Sequence, residues 1–158
     1  MGRIPILTAD EIKKLRTAGK LAARVLDHIQ PHVQPGISTA ELDRICHQFI
    51  IDHGATPAPL HYRGFPKSIC TSINDVICHG IPSEDEVLHD GDVVNIDITV
   101  IKDGFYGDTS RMFLVGEVAE STRLLVERTK KAMAKGIAVV KPGARFNEIG
   151  KAIEKYAH

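Results

Sequence analysis

Two aspartates, Asp97 and Asp108, stand in a stretch of the chain whose pattern otherwise predicts β-structure. Residues 93–101 alternate between apolar and polar side chains, which is typical of a half-buried strand. Asp97 falls on the polar face of that strand. Because aspartate is depleted in strands, its presence here favours a functional role. The alternative is that both carboxylates hydrogen-bond to the backbone at a strand edge or turn.

The dipeptide Asp103-Gly104 predicts how the second aspartate is placed relative to the first. It is typical of a two-residue type I′ hairpin turn, which needs positive φ at both positions. Such a turn pairs Lys102 with Phe105. Counting outward, Asp97 and Asp108 then lie on one face as diagonal neighbours, with their backbones roughly 7–8 Å apart. A shift of the register by one residue would move Asp108 to the opposite face.

Two carboxylates that converge on one point repel each other and resist burial, so the arrangement calls for protons or cations between them. A pair of divalent metal ions meets this need. Metal ions about 3.5–4 Å apart and bridged by carboxylates activate water and polarise a carbonyl group in many aminopeptidases and phosphatases. The two aspartates therefore indicate hydrolytic metal chemistry without identifying a substrate.

The composition is that of one soluble globular domain. The chain has 158 residues, 43% of them hydrophobic, with 20 basic and 20 acidic side chains. This balance gives no electrostatic footprint for nucleic acid or an anionic membrane. No apolar run approaches the roughly 20 residues of a membrane span, and no signal peptide is evident. Cys46, Cys70 and Cys78 are odd in number and lack zinc-ligand spacing, which fits reduced thiols and a cytoplasmic location.

Two amphipathic helices are predicted before the hairpin. Capping boxes at Thr8–Glu11 and Ser38–Glu41 open them, and a proline or glycine ends each. His47 and His53 on the second helix are interpreted as solvated surface residues. The apolar stripes of the two helices are Ile12, Leu15, Leu21, Ala22, Val25, Leu26 and Ile29, and Leu42, Ile45, Phe49 and Ile50.

Residues 55–92 are predicted to be rich in loops, with strand-like pieces at residues 68–73 and 76–78. Long loops in a compact domain often carry function. His79 lies in one of them, followed by glycine. From the residues alone it is either a catalytic or substrate-binding imidazole or a half-exposed turn residue.

A third helix is predicted at residues 121–138, with a basic run that we interpret as a solvated face. After it, the segment Val140–Glu148 repeats the pattern of Val33–Glu41 without gaps, at a constant offset of 107 residues (140 minus 33). This indicates an internal repeat of a helix, Pro-Gly turn, helix unit. Chance similarity of two amphipathic helices is the alternative. The inner stripe expected for the third helix is Leu124, Leu125, Ala132 and Met133.

Several motifs together resemble the type I methionine aminopeptidase family. They are Cys78-His79-Gly80-Ile81-Pro82, residues 92–99 (DVVNIDIT) and Gly107-Asp108-Thr109-Ser110, and the similarity extends over essentially the whole chain. The resemblance implies an α+β fold, half of a pita-bread (creatinase/aminopeptidase) fold, in which an antiparallel sheet has helices packed on one face. Residues 1–158 would form a single catalytic-domain fragment, the N-terminal pseudo-symmetric half plus the first helices of the second half.

The resemblance also implies roles for individual residues. His79 would be catalytic and contact the substrate near the scissile bond, and Asp97 and Asp108 would be metal ligands. The pocket for the methionine side chain would be lined or flanked by Tyr62, Phe65, Cys70 and Cys78. A monovalent cation would bind carbonyl oxygens of Asn74 and Val76. Arg63 and Tyr106 depart from the family pattern, which often has an imidazole at both positions.

The family's other ligands, a histidine and two glutamates, and the glutamate assigned as general base have no counterpart in the 158 residues. We therefore expect an N-terminal half that is inactive by itself and binds metal weakly. The complete enzyme would use two divalent ions of the Co, Mn, Fe, Zn or Ni class. It would remove the initiator methionine from nascent chains that begin with Met and a small residue. The resemblance also implies transient association with the ribosome.

Two alternatives remain open at this stage. One is a metal-free pita-bread module that uses its cleft to bind a protein, although such a module has no need for two repelling carboxylates. The other is a related enzyme acting on Xaa-Pro peptides, which the match around Cys78–Pro82 disfavours.

Overall fold

The computed structural model describes residues 4–158, which divide into two compact units, one ending at Glu117 and one beginning at Val118. Within those residues, no helix has the length and apolar character needed to cross a membrane. The first unit contains α1 (Ala9–Ile29), α2 (Thr39–Asp52), β1 (Thr56–Pro57), β2 (Cys70–Ile73), β3 (Val93–Lys102), β4 (Phe105–Leu114) and short 3₁₀ turns at Gln30–His32 and Tyr62–Gly64. The second unit contains α3 (Glu120–Ala138) and α4 (Phe146–Ala157).

The hairpin of β3 and β4 forms in the predicted register. Lys102 pairs with Phe105, and both residues of the Asp103-Gly104 turn have positive φ, 51° and 80°. β3 is the central strand of an antiparallel sheet: β4 pairs along its whole length on one side, while β1 and β2 follow each other along the opposite side. The turn chemistry therefore determines which residues of β4 share a face with Asp97.

The apolar face of β3 is the centre of the core. Helix α1 packs on β3 and β4, and α2 packs against α1 and β1. Burial of each aliphatic side chain in such a core stabilises the fold by roughly 1.5–3 kcal/mol. The antiparallel sheet with helices on one face confirms the predicted α+β class. The fully buried residues of β3 are Val94, Ile96, Ile98 and Val100, and they meet Leu21, Ala22, Val25, Leu26 and Ile29 of α1 in one cluster.

The two predicted capping boxes differ in completeness. Thr8 Oγ1 accepts a hydrogen bond from the Glu11 amide at 3.3 Å, and the Glu11 carboxylate accepts one from the Thr8 amide at 2.7 Å, which confirms the first box. Ser38 Oγ accepts from the Glu41 amide at 3.2 Å, but the Glu41 carboxylate pairs with Arg44. The second box is therefore only half formed, because the arginine one turn later competes for the carboxylate.

The predicted apolar stripe of α1 is wrong at its beginning. Ile12 and Leu15 are each 40% exposed, and burial begins at Ala18. At that point α1 crosses β4 so closely that a Cβ on Gly107 would lie 2.2 Å from the Ala18 carbonyl group. The turns of α1 before this crossing contribute little to the core of the unit.

His47 and His53 are only partly exposed to solvent, and each makes hydrogen-bond contacts that the sequence did not indicate. Both are half-buried. His47 Nδ1 lies 2.7 Å from Ser68 Oγ, and His53 Nδ1 lies 2.7 Å from the Phe49 carbonyl oxygen. His53 Nε2 is 2.8 Å from an Arg24 guanidinium nitrogen. These contacts tie α2 to the following loop and to α1, so the two histidines hold the fold together.

The predicted strand at Val76–Cys78 does not form. The chain turns immediately after β2, where Asn74 has a φ of 51° and the Val76 amide donates to the Ile73 carbonyl oxygen at 3.0 Å. The returning segment meets β2 through one backbone hydrogen bond, from the Thr71 amide to the Gly80 carbonyl oxygen at 3.0 Å. One such bond does not make a ladder, so residues 76–78 are not a strand.

The second unit is a pair of packed helices with a close contact at Gly136. A Cβ at Gly136 would lie 3.0 Å from Cδ1 of Ile153, so the absence of a side chain lets α4 approach α3. Leu125 and Met133 are 67% and 55% exposed, which contradicts their assignment to an inner stripe. The contact with α4 is centred on the neighbouring face of α3, the one that carries Gly136.

The predicted repeat has a structural counterpart in both units. Gly36 and Gly143, which are 107 residues apart, follow a proline and adopt φ angles of 93° and 84°. Each begins the turn into a helix, α2 in the first unit and α4 in the second. Each unit thus has a long helix, a Pro-Gly turn and a shorter helix in the same order.

Candidate active site

An open cleft of about 910 Å³ lies on the first unit, and it contains both aspartates. Asp97 and Thr99 of β3 project into it from the polar face of the strand, opposite the buried aliphatic face. The strand alternation therefore separates a core side from a cleft side. The lining consists of Ala58, Pro59, Tyr62, Arg63, Gly64, Phe65, Pro66, Cys70, His79, Ile81, Asp97, Thr99, Tyr106 and Asp108.

Asp97 and Asp108 occupy the diagonal positions predicted for them. Asp97 is paired with Ser110 and Asp108 with Thr99, so the two aspartates are offset by two residues along the ladder and lie on the same face. Burial raises the pKa of the half-buried Asp97 carboxyl above its usual range, and the nearby negative charge of Asp108 raises it further. His79 acts in the opposite direction and lowers it. The three side chains are thus close enough to interact electrostatically.

The two carboxylates fit a divalent cation. They are hard oxygen donors on one face, and within residues 4–158 no lysine or arginine forms an ion pair with either of them. A cation would relieve the repulsion that raises the pKa of Asp97. In the described part of the chain, however, no three His, Cys, Asp or Glu side chains are arranged to hold a metal ion. A complete coordination shell therefore needs donors in addition to Asp97 and Asp108.

His79 is placed in the cleft by the glycine that follows it. A Cβ at Gly80 would lie 1.9 Å from the Thr71 carbonyl oxygen, so only glycine allows the loop to approach β2 this closely. The Gly80 amide donates to Ser72 Oγ at 3.2 Å, and its carbonyl oxygen accepts from the Thr71 amide at 3.0 Å. His79 itself has a φ of 57°, in the left-handed region. The His-Gly sequence thus anchors the imidazole on the sheet.

A second loop contributes aromatic walls to the cleft. Tyr62 and Phe65 both line it, and the backbone between them is unusual: His61, Arg63 and Gly64 have φ angles of 67°, 49° and 85°. The His61 amide donates to the Phe65 carbonyl oxygen at 2.8 Å, and the Phe65 amide donates to the Tyr62 carbonyl oxygen at 3.0 Å. These bonds close the loop that carries both aromatic side chains at the cleft.

The structure separates the two cysteines that the resemblance places at the methionine pocket. Cys70 lines the cleft and is buried, and burial is the main cause that raises the pKa of its thiol to about 11. It is therefore a neutral wall of the cleft at physiological pH. Cys78 is exposed and does not line the cleft.

Asn74 and Val76 lie in the turn after β2, away from the cleft lining. The Asn74 side-chain amide donates to Asp92 at 2.8 Å, and its oxygen accepts from the Val93 amide at 3.1 Å. Asn74 thus holds the turn to the start of β3. The role of the Asn74 and Val76 carbonyl oxygens in binding a monovalent cation stays a prediction.

Some lining residues were not assigned from the sequence. Ala58, Pro59 and Ile81 come from loops, where no periodicity indicates which side chains face the sheet. Thr99 had a signal, because it alternates with Asp97 along β3. Arg63 and Tyr106, noted only as departures from the family pattern, are also part of the cleft.

Comparison with known proteins places these features in context. The family model described as metallopeptidase family M24 matches residues 13–158. The methionine aminopeptidase of Rickettsia prowazekii is 58% identical over 154 residues, which are 98% of this chain and 59% of that protein. The methionine aminopeptidase of Escherichia coli K12 is 52% identical over 154 residues, 97% of this chain and 58% of that protein. The chain thus spans less than two thirds of the length of these relatives.

Solved structures give the same picture of the fold. The crystal structure of methionine aminopeptidase from Rickettsia prowazekii has a TM-score of 0.95 and 57% identity, covering 98% of this chain and 62% of that one. The Xaa-Pro dipeptidase of Bacillus anthracis has a TM-score of 0.83 and 26% identity, covering 96% and 41%. These similarities confirm the fold class predicted from the sequence.

Proposed function

Because the chain belongs to metallopeptidase family M24, we propose that it acts as part of a metal-dependent aminopeptidase that removes the N-terminal initiator methionine from newly made proteins. The observation that carries this proposal is the convergence of Asp97 and Asp108 in a cleft that also holds His79 and two aromatic side chains. The sequence identity to the two methionine aminopeptidases supports the choice of methionine.

The aspartates are proposed as ligands shared by two divalent metal ions, whose chemistry is to activate water and polarise the first peptide carbonyl group. The Co, Mn, Fe, Zn and Ni class suits such a site. The part of Asp97 and Asp108 is to supply anionic oxygens on a rigid hairpin, whose register fixes their spacing. A monovalent cation at the Asn74 and Val76 carbonyl oxygens belongs to the same proposal.

His79 is proposed to hydrogen-bond the substrate next to the scissile bond. Its loop is anchored to β2 at Gly80, which keeps the imidazole beside the carboxylates. His79 also lowers the pKa of Asp97, which supports a position near the carboxylates. An imidazole there can donate or accept a proton near neutral pH.

The apolar wall of the cleft is proposed to bind the methionine side chain. Tyr62, Phe65 and Cys70 offer aromatic and neutral sulfur surfaces of the kind that a flexible thioether contacts well. The exposed Cys78 would only flank this pocket. The substrates would be nascent chains that begin with Met and a small residue. The enzyme would act on them in the cytoplasm and would associate transiently with the ribosome.

Two other functions make different predictions for one assay. The protein at its natural full length, supplied with Mn²⁺ or Co²⁺, is tested on Met-Gly and Xaa-Pro peptides. We expect hydrolysis of the Met-Gly peptide and none of the Xaa-Pro peptide. Hydrolysis of the Xaa-Pro peptide alone would favour the related specificity, and binding without hydrolysis of either would favour a metal-free binding module.

A further inference from the structure

We propose that Arg63 binds a carboxylate of the peptide substrate beyond the scissile bond and so gives the cleft a preference for acidic residues close to the N-terminus. The inference rests on the proposed function, since it names the substrates that the same cleft would favour. It assigns a specificity-determining role to a residue that neither the metal site nor the methionine pocket uses.

Arg63 is the one lysine or arginine, within residues 4–158, that lines the cleft. No carboxylate of that part of the chain forms an ion pair with it. Its guanidinium carbon lies 5.4 Å from the centre of the Tyr62 ring. A guanidinium that rests over an aromatic ring keeps its N–H donors available in its own plane. The cleft thus contains a cation with free donors.

The backbone at Arg63 is held in an unusual conformation. Arg63 has a φ of 49° and a ψ of 34°, a left-handed conformation that few residues other than glycine adopt. The loop hydrogen bonds between His61, Tyr62 and Phe65 hold this conformation in place. Residues kept in sparsely populated conformations by their surroundings cluster at ligand sites. The loop therefore presents a large charged side chain to the cleft where glycine would be the unstrained choice.

The chemistry of the substrate indicates which group Arg63 would bind. The N-terminal methionine carries a cationic amine and an apolar side chain, and the second residue is small, so the first anion available is a carboxylate on the third residue or just beyond. Asp97 and Asp108 repel such a group unless metal ions neutralise them, whereas Arg63 attracts it. The planar guanidinium also matches a carboxylate with two parallel hydrogen bonds.

The test measures binding and turnover separately. Reduced-amide analogues of Met-Ala-Asp-Ala and Met-Ala-Asn-Ala, with amidated C-termini, resist cleavage and differ only in the charge of the third residue. Their affinities for the full-length Mn²⁺-loaded protein are measured by calorimetry. We expect the aspartate peptide to bind about two- to fivefold more tightly, the range of an exposed ion pair. Arg63→Gln should abolish this difference and Arg63→Lys should keep part of it.

Lys67→Gln is the matched control, because it removes a positive charge four residues away that does not line the cleft. It should leave the preference unchanged, and thermal unfolding verifies that all variants fold. Persistence of the preference in Arg63→Gln, or equal binding of both peptides to the unaltered protein, overturns the inference. A different result would contradict the proposed function, namely failure to hydrolyse the ordinary Met-Ala-Asn-Ala amide. The charge preference could still be measured in that case, because it is a difference in binding.

Discussion

The ionisation of Asp97 is expected to weaken the metal-free fold. Its pKa in the folded protein is raised by burial and by Asp108, so its contribution to stability is present below the unfolded pKa and is lost as the pH rises through the folded pKa. We expect Asp97→Asn to unfold at a higher urea concentration than the unaltered protein at pH 7 with EDTA present. The same substitution should abolish peptidase activity in the full-length protein, because it removes one of the two proposed anionic metal ligands.

The pH dependence provides the control for this prediction. Below the unfolded pKa both forms of the protein carry a neutral side chain at position 97, so their stabilities should converge. If Asp97→Asn proves no more stable at pH 7, or if its advantage grows as the pH falls, the assignment of repulsion between Asp97 and Asp108 is wrong. Normal turnover in this variant would refute its assignment as a metal ligand.

His79 is expected to matter for turnover more than for metal binding. Its imidazole lines the cleft and lowers the pKa of Asp97, and we propose that it contacts the substrate. His79→Ala in the full-length protein should lower kcat by a factor on the order of 10²–10⁴, the usual range for a proton-transferring group, while metal content measured by mass spectrometry stays the same. The control is His89→Ala, since the His89 side chain is 79% exposed and lies outside the cleft. Parallel loss of metal and activity in His79→Ala would assign it to the metals instead.

Where two backbone segments approach closely, replacing a glycine should destabilise the fold. Gly80→Ala would place a Cβ 1.9 Å from the Thr71 carbonyl oxygen, so the loop that carries His79 must move. We expect a loss of about 1–3 kcal/mol in the free energy of unfolding and a fall in activity. Gly19→Ala is the matched control: it lies in α1 with no atom within 4 Å of the added Cβ, and it should stabilise by ~0.5–1 kcal/mol. The free energy of unfolding of both variants is measured by urea denaturation. If Gly80→Ala is as stable as the unaltered protein, the loop does not need glycine at this position.

The elements that local rules determine were predictable from the sequence, and those that depend on packing were not. The Asp103-Gly104 turn and the alternation of β3 suffice for the hairpin register, because both act between neighbours in the chain. The lost strand at Val76–Cys78 depends on a turn that the sequence pattern did not reveal. The contacts of His47 and His53 depend on partners from distant segments.

The candidate site divides in the same way. The positions of Asp97 and Asp108 follow from register, so simple counting was enough to bring them together. The exposure of Cys78 and the cleft position of Arg63 depend on left-handed residues in two loops, which have no periodic signal in the sequence. Gly107 illustrates the limit: its need for glycine arises from the crossing of α1, a contact that no local pattern indicates.

If Asp97 and Asp108 are the metal ligands proposed above, a protein of residues 1–158 alone has too few of them to hold a metal ion firmly. Asp97 and Asp108 offer two carboxylates, whereas hard divalent ions prefer about six donors. We expect a protein of these residues alone to lose Mn²⁺ during dialysis and to show no hydrolysis of Met-Gly peptides. Mass spectrometry of the intact protein and of its metal content provides the measurement. Retained metal together with hydrolysis would mean that the described residues complete the site by rearranging.

The second unit has an apolar groove that corresponds by the repeat to the core of the first. Subtracting 107 from Ala132 and Met133 gives Val25 and Leu26, which are 0% and 2% exposed beneath the sheet of the first unit. In the second unit Met133 is 55% exposed. The position that is buried as Leu26 in the first unit is thus exposed as Met133 in the second. The groove, of about 310 Å³, is lined by Thr129, Ala132, Met133, Gly136, Ile137, Val140, Ile149 and Ile153.

An open apolar groove of this kind favours self-association of a protein made of residues 1–158 alone. We expect its sedimentation coefficient to rise with concentration in analytical ultracentrifugation, and Met133→Lys to reduce this rise by placing a charge in the groove. Leu125→Lys is the control, because Leu125 is 67% exposed on the same helix but does not line the groove. If both variants reduce association equally, general surface hydrophobicity is the cause. If the unaltered protein stays monomeric at all concentrations, the exposed groove does not drive self-association, and the prediction is wrong.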